Sequence, residues 1–217
     1  SVLDFYISLT PLNDLEIDSV VQMINSKLPS LKSLSLGFPD SNNLRNTEFN
    51  IKDKPNLESL AIDLSSCDRL LVPSFSVDES VRLKDLSLNF DKCAALKTFN
   101  ACFGQLSYLQ KILIKFNQTL VDDEAIRNLS ENINQYLLQL EKLVIFHQHC
   151  RYINHPLYDI ENLAQLNELE LKMNGCANMK SYTLKLNPKL NKVKTSIWYD
   201  RYQTIPPSYA GKASNKY

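Results

Sequence analysis

The stretch Leu31-Lys-Ser-Leu-Ser-Leu36 carries the spacing that organises this chain of 217 residues. Its leucines form a Leu-x-x-Leu-x-Leu triplet, and similar triplets follow at steps of 26, 26, 26, 31 and 26 residues. They are Leu57/Leu60/Ile62, Leu83/Leu86/Leu88, Leu109/Ile112/Ile114, Leu140/Leu143/Ile145 and Leu166/Leu169/Leu171, with weaker copies at Val2/Phe5/Ile7 and Leu190/Val193/Thr195. Such a recurrence indicates one small structural unit stacked about eight times.

Each triplet alternates apolar and polar residues, which predicts a strand with one buried face. A period of 20 to 29 residues with this triplet resembles the leucine-rich repeat family. The resemblance implies an α/β solenoid, with a parallel sheet on the concave side and helices and irregular segments on the convex side. We expect this solenoid over residues 1–200 and a C-terminal tail over 201–217. Because the chain starts at Ser1 without Met, we expect it to be a fragment of a longer protein.

The segments between the triplets differ in their apolar spacing. Those from Asp18 to Leu28 and from Asp122 to Leu138 read as amphipathic helices, the second beginning with acidic residues that suit a helix N-terminus. Helical structure is also predicted from Ala94 to Leu106 and from Asp159 to Leu166. The segments 42–55 and 70–81 show no helical period, so they are predicted to be irregular.

Composition narrows the classes of partner. The 24 basic and 24 acidic residues leave no net charge, which disfavours nucleic acid and membrane surfaces. No apolar run approaches the roughly 18 residues that span a bilayer. Of the five cysteines, Cys67, Cys93, Cys150 and Cys176 all lie ten positions after the first leucine of a triplet. We interpret them as buried reduced thiols, which predicts an intracellular protein, cytoplasmic or nuclear.

Catalytic and metal-binding patterns are weak in this sequence. The three histidines, His147, His149 and His155, lie within nine residues and next to Cys150, which can be drawn as a zinc site. The triplet register instead places His147 and Cys150 in core positions, and buried thiols are not activated nucleophiles. The four glycines form no phosphate-binding loop. We therefore predict no enzyme, no metal and no cofactor.

The strand positions that face away from the predicted core are more informative. They lie two, four and six residues after the first leucine, on the concave surface. The first three triplets place small or acidic residues there, whereas Leu113, Val144 and Phe146 form an apolar island further along. Charged residues surround it: Lys111, Lys115, Lys142, Glu168, Glu170 and Lys172. An apolar centre with a charged rim predicts a protein-binding site, the alternative being a strand face that merely tolerates apolar residues.

The frequent cysteines make the repeats resemble the irregular leucine-rich repeats that follow an F-box. That resemblance implies substrate recognition for a cullin-type (SCF) ubiquitin ligase. An F-box, expected upstream of Ser1 and missing from this chain, would bind the adaptor Skp1. A structural scaffold, or an adaptor similar to the leucine-rich GTPase regulators, remains the alternative from a different functional class.

Overall fold

The computed structural model describes residues 4–77, 82–103 and 106–188, and the backbone of 194–198 and 208–210. In chain order its elements are β1 (Asp4–Ser8), α1 (Asp14–Lys27), β2 (Ser33–Gly37), β3 (Glu48–Ile51), β4 (Ser59–Asp63), β5 (Ser74–Val77), β6 (Asp85–Asn89), β7 (Asn100–Cys102), β8 (Lys111–Lys115), α2 (Asp123–Tyr136), β9 (Lys142–Phe146), β10 (Leu157–Ile160), β11 (Glu168–Lys172), β12 (Thr183–Leu186), β13 (Lys194–Trp198) and β14 (Ser208–Ala210). The fold is α/β, as predicted.

Every triplet contributes one strand to a single parallel sheet. Its order is β1-β2-β4-β6-β8-β9-β11-β13. The register aligns equal triplet positions, so that Leu34 pairs with Leu60, and Leu60 with Leu86. The triplet side chains from Leu31 to Leu171 are at most 2% exposed. The alternation in the sequence therefore set both the strands and their register, because a shift by one residue would turn the leucines into solvent.

The described residues also form two further parallel sheets, which were not predicted from the sequence. Their orders are β3-β5-β7 and β10-β12-β14. The prediction of irregular structure at 42–55 and 70–81 was wrong, because β3 and β5 lie there. Both strands are only four residues long, and their alternation rests on pairs such as Phe49 and Ile51, whose side chains are buried. Ladder hydrogen bonds to the neighbouring strands complete them.

Two of the four predicted helices are absent from the described residues. The segment from Ala94 to Leu106 contains β7, whose Asn100 N donates to Pro73 O at 3.0 Å. The segment from Asp159 to Leu166 begins within β10 and continues in turns. In both segments strand pairing at one end and turns elsewhere take the place of a helix, so a weak helical period does not decide the structure. β14 lies within the segment assigned to a tail, and it pairs with β12.

The other two helices are confirmed, with shifted ends. α1 begins four residues before the predicted Asp18, because Asn13 and Glu16 form a capping box. α2 begins after Asp122, whose carboxylate accepts a hydrogen bond from Ala125 N. Each helix buries one apolar face and packs beside the first strand of a small sheet, α1 on β3 and α2 on β10.

The predicted burial of the cysteines is confirmed at the four described positions. Cys67, Cys93, Cys150 and Cys176 are free thiols, at most 3% exposed. Each thiol donates over 3.0 to 3.3 Å to the carbonyl of the residue that directly follows the strand one position earlier in the large sheet. A leucine could not make this bond. The thiols therefore satisfy backbone carbonyls that leave the strand ladder.

The elements of the first half recur 109 residues later along the chain. α1 begins at Asp14 and α2 at Asp123, and the strands β2 to β6 begin 109 residues before β9 to β13. Core residues such as Leu31 and Leu140, or Cys67 and Cys176, correspond under this shift and are buried in both halves. The first half therefore provides a comparison for the second half within the same molecule.

Candidate functional site

The structure brings all nine predicted site residues together on β8, β9 and β11. The strand register arranges them in three adjacent rows across the sheet. The rows are Lys111–Lys142–Glu168, Leu113–Val144–Glu170 and Lys115–Phe146–Lys172. We call these nine residues the mixed patch. They lie on the open face of the sheet, which is the face opposite the buried triplet side chains.

The apolar centre of the mixed patch is less exposed than the sequence predicts. Val144 is only 5% exposed, so its assignment to an exposed island is corrected, while Leu113 and Phe146 are half-buried. Val144 lies in the middle row, between Leu113 and Glu170 on the neighbouring strands. Strand spacing of about 4.8 Å lets these longer side chains cover it. Val144 is therefore too buried to contact a partner directly, and Leu113 and Phe146 supply the accessible apolar surface of the patch.

Ion pairs tie three lysines of the mixed patch to carboxylates. Lys142 pairs with Glu168 at 3.0 Å, and Lys172 pairs with Glu170 at 3.3 Å. Lys111 pairs at 3.5 Å with Asp85 on β6, a residue that the sequence analysis did not assign to the site. The row position of Asp85, directly beside Lys111, was the signal for it. These pairs are solvent-accessible and stabilise the fold by roughly 0–1 kcal/mol each.

Lys172 also covers the aromatic ring of the patch. Its Nζ lies 4.2 Å from the centroid of the Phe146 ring. A cation within about 6 Å of a ring face is attracted to the electron-rich face. The ring is therefore held in place on one side by Lys172, while Lys115 is its neighbour on the other side, on β8.

The open face of the first half is different in character. The positions that correspond to Lys142, Val144 and Phe146 are Ser33, Ser35 and Gly37, and those that correspond to Glu168, Glu170 and Lys172 are Ser59, Ala61 and Asp63. The buried positions between them remain leucine or isoleucine in both halves. The two halves thus share a core and differ on the open face. On these two pairs of strands the large apolar and charged side chains lie on the second half, whereas on β1 Tyr6, in the row of Ser35, is a large exposed side chain of the first half.

The three histidines lie in different environments and do not form one cluster in the structure. His147 is buried, its Nε2 contacts the hydroxyl of Tyr158, and its carbonyl accepts the thiol of Cys176. His149 is exposed, and the Nδ1 of His155 contacts the hydroxyl of Ser181 at 2.7 Å. Within the described ranges, no three histidine, cysteine or acidic side chains are grouped so that they could hold a metal ion.

Burial keeps the His147 imidazole neutral. It lowers the pKa of His147 from 6.5 to about 4, because the charged form would lose its hydration. Burial likewise raises the pKa of Tyr158 well above its usual value. Both side chains are therefore uncharged at neutral pH, and their contact is a neutral hydrogen bond inside the core.

Two further findings bear on the function of the chain. In the described part of the chain, neither helix has the length and apolar character required to cross a membrane. A comparison of the chain with models of protein families, with curated proteins and with solved structures finds no match.

Proposed function

We propose that this chain is a leucine-rich repeat solenoid of about eight units that binds a partner protein through the mixed patch. The observation that carries the proposal is the contrast between the halves. At corresponding open-face positions the first half has Ser35 and Gly37, and the second half has Val144 and Phe146. The buried residues that alternate with them are leucine or isoleucine in both halves. The similar cores of the two halves do not require this difference on the open face, and binding of a partner accounts for it.

The composition of the patch fits protein recognition. Leu113 and Phe146 offer accessible apolar surface at its centre, and ion-paired lysines and glutamates form the rim. Interfaces between proteins commonly combine an apolar centre with a polar rim, and aromatic residues at the centre contribute most of the binding free energy. The stacked parallel strands hold these side chains in a fixed arrangement, which reduces the entropy lost on binding.

The finer part of the proposal concerns the biological role. From the resemblance to repeats that follow an F-box, we propose that the solenoid selects substrates for an SCF-type ubiquitin ligase in the cytoplasm or nucleus. Purification of the full-length protein tests this role. Co-purification of Skp1 and a cullin in equal amounts supports it. A stable assembly that lacks both supports the scaffold or GTPase-regulator-like adaptor instead.

The binding site itself is tested by substitution in the full-length protein. Leu113→Asp with Phe146→Asp places two carboxylates in the apolar centre, and we expect loss of the partner that the unmodified protein retains. The matched control is Ser35→Asp with Ser59→Asp, on β2 and β4 of the same open face, which β6 separates from β8. We expect the control to keep the partner. Equal retention by both variants would place the binding site elsewhere.

A further inference from the structure

Lys115 differs from the other lysines of the mixed patch in its partners. Lys111, Lys142 and Lys172 each pair with a carboxylate of this chain. Among the residues that the structure describes, no carboxylate lies within ion-pairing distance of Lys115. The Lys115 side chain is nevertheless half-buried rather than extended into solvent.

The neighbours of Lys115 are apolar or already engaged. In register it lies between Asn89 on β6 and Phe146 on β9, and Leu113 precedes it by two residues on the same face. The Asn89 amide donates to the Asp63 carboxylate at 3.0 Å. The backbone of Asp63 on β4 lies two strand spacings from the backbone of Lys115 on β8, about 10 Å away. The ammonium group of Lys115 therefore borders the apolar centre without a counter-charge.

A partner that covers the apolar centre must also cover this ammonium group. Removing water from an unpaired charge is unfavourable unless the partner supplies an opposite charge. The other three lysines retain their own carboxylates when they are covered, so they make no such demand. The requirement for a negative group is specific to Lys115.

We propose that the mixed patch binds a protein segment in which an apolar side chain is followed or preceded, two residues away, by Asp or Glu. The apolar side chain contacts Leu113 and Phe146, and the carboxylate accepts hydrogen bonds from Lys115 Nζ. Residues two apart on a strand are about 7 Å apart, and an extended partner segment has the same spacing. This inference rests on the proposed function and specifies the chemistry of its partner.

The probe is a display library of random linear peptides, selected on the full chain. We expect enriched peptides to carry Leu, Ile, Phe, Met or Trp two residues from Asp or Glu. Selection on Lys115→Glu should replace the acidic residue by Lys or Arg, while the apolar preference remains. For one enriched peptide, Lys115→Gln should weaken binding about tenfold or more, since a hydrogen bond between charged groups is lost. Lys115→Arg should preserve binding, and Lys52→Gln, at an exposed position just after β3 in the small sheet, serves as the control.

The outcomes separate this inference from the proposed function. Peptides that lose binding with Leu113→Asp and Phe146→Asp, but show no acidic preference and no response to Lys115→Gln, overturn the acidic partner and leave the binding site intact. Peptides that bind all these variants equally, or no enrichment at all, overturn both. A circular dichroism melt of each variant confirms that the compared proteins are folded.

Discussion

His147 and Tyr158 stack inside the core, with ring centroids 6.0 Å apart and the planes inclined by 17°. The residues 109 positions earlier are Phe38 and Phe49, which stack at 6.2 Å and 20°. The second half therefore keeps the geometry of an aromatic pair and adds one buried hydrogen bond to it. The two pairs occupy equivalent places, so one can be exchanged for the other.

This equivalence predicts strong coupling between His147 and Tyr158. His147→Phe leaves the Tyr158 hydroxyl without its nitrogen partner, and Tyr158→Phe leaves the imidazole Nε2 without its hydroxyl. Each single substitution should lower the free energy of unfolding by about 1–3 kcal/mol, the cost of an unsatisfied buried polar group. The double substitution reproduces the Phe38–Phe49 pair and should be within about 1 kcal/mol of the unmodified protein. Denaturant unfolding of the four proteins measures the coupling, and additive losses would contradict it.

The depressed pKa of His147 predicts a loss of stability in acid. The folded pKa of about 4 lies below the unfolded value of 6.5, so the unfolded chain binds the proton more tightly. The contribution of His147 is fully present above pH 6.5 and is lost as the pH falls from 6.5 to 4, by about 3 kcal/mol in total. In the His147→Phe, Tyr158→Phe double variant, unfolding free energy should fall less over this interval. An identical pH profile for both proteins would show that His147 does not titrate in this range.

The residue nine positions after the first leucine of a triplet has a left-handed backbone conformation in each of the six units from Leu31 to Leu166. Its φ angle is 56° to 72° at Asp40, Ser66, Lys92, Gln118, His149 and Gly175. The regularity is not visible in the sequence, because only Gly175 is a glycine and the other five positions carry five different side chains. The backbone amides of those five residues donate to the next turn of the chain, as Ser66 N does to Asp91 O at 2.7 Å, which stabilises the unfavourable conformation.

Gly175 differs from the other five positions because a side chain lies close to its Cα. A Cβ atom added there would overlap the imidazole ring of His149. Gly175→Ala should therefore lower the free energy of unfolding by about 1–2 kcal/mol, mostly from the left-handed backbone, because the exposed His149 ring can turn away from the new methyl group. His149→Ala in the same chain removes the overlap and should recover the smaller, steric part of this loss. Thermal or denaturant unfolding of the single and double variants checks this, and equal losses in both would contradict the steric contribution.

The buried thiols should be unreactive in the folded protein. With Cys102 replaced by Ser, four cysteines remain, and each is at most 3% exposed and donates to a carbonyl. We expect a chromogenic thiol reagent to label none of them within the time in which it labels all four in denaturant. Labelling at a rate independent of denaturant would contradict the buried cysteine ladder.

The large sheet was predictable because its signal is local and repeated. Leu31, Leu34 and Leu36 define a strand alone, and further triplets repeat it in register. The small sheets were not, because strands such as Ser74–Val77 are only four residues long and carry no triplet. Two buried residues, Phe75 and Val77, are too few to distinguish a strand from an irregular segment.

The candidate site was predictable in its members but not in its details. The triplet spacing alone placed Leu113, Val144 and Phe146 side by side. The burial of Val144 depends on the length of the neighbouring side chains on β8 and β11. Whether Lys115 has an ion-pair partner depends on which lysine each nearby carboxylate contacts. These are packing outcomes, which spacing does not encode.

The central claim is that the second half of the open face binds a protein. Its most direct test places a photo-crosslinking amino acid at Leu113 of the full-length protein in its native cells, with the same substitution at Ser35 on β2, which β4 and β6 separate from β8, as the matched control. We predict one discrete crosslinked protein from position 113, which disappears when Phe146→Asp is added, and none from position 35. Crosslinks of equal yield from both positions, or from position 35 alone, would contradict the claim.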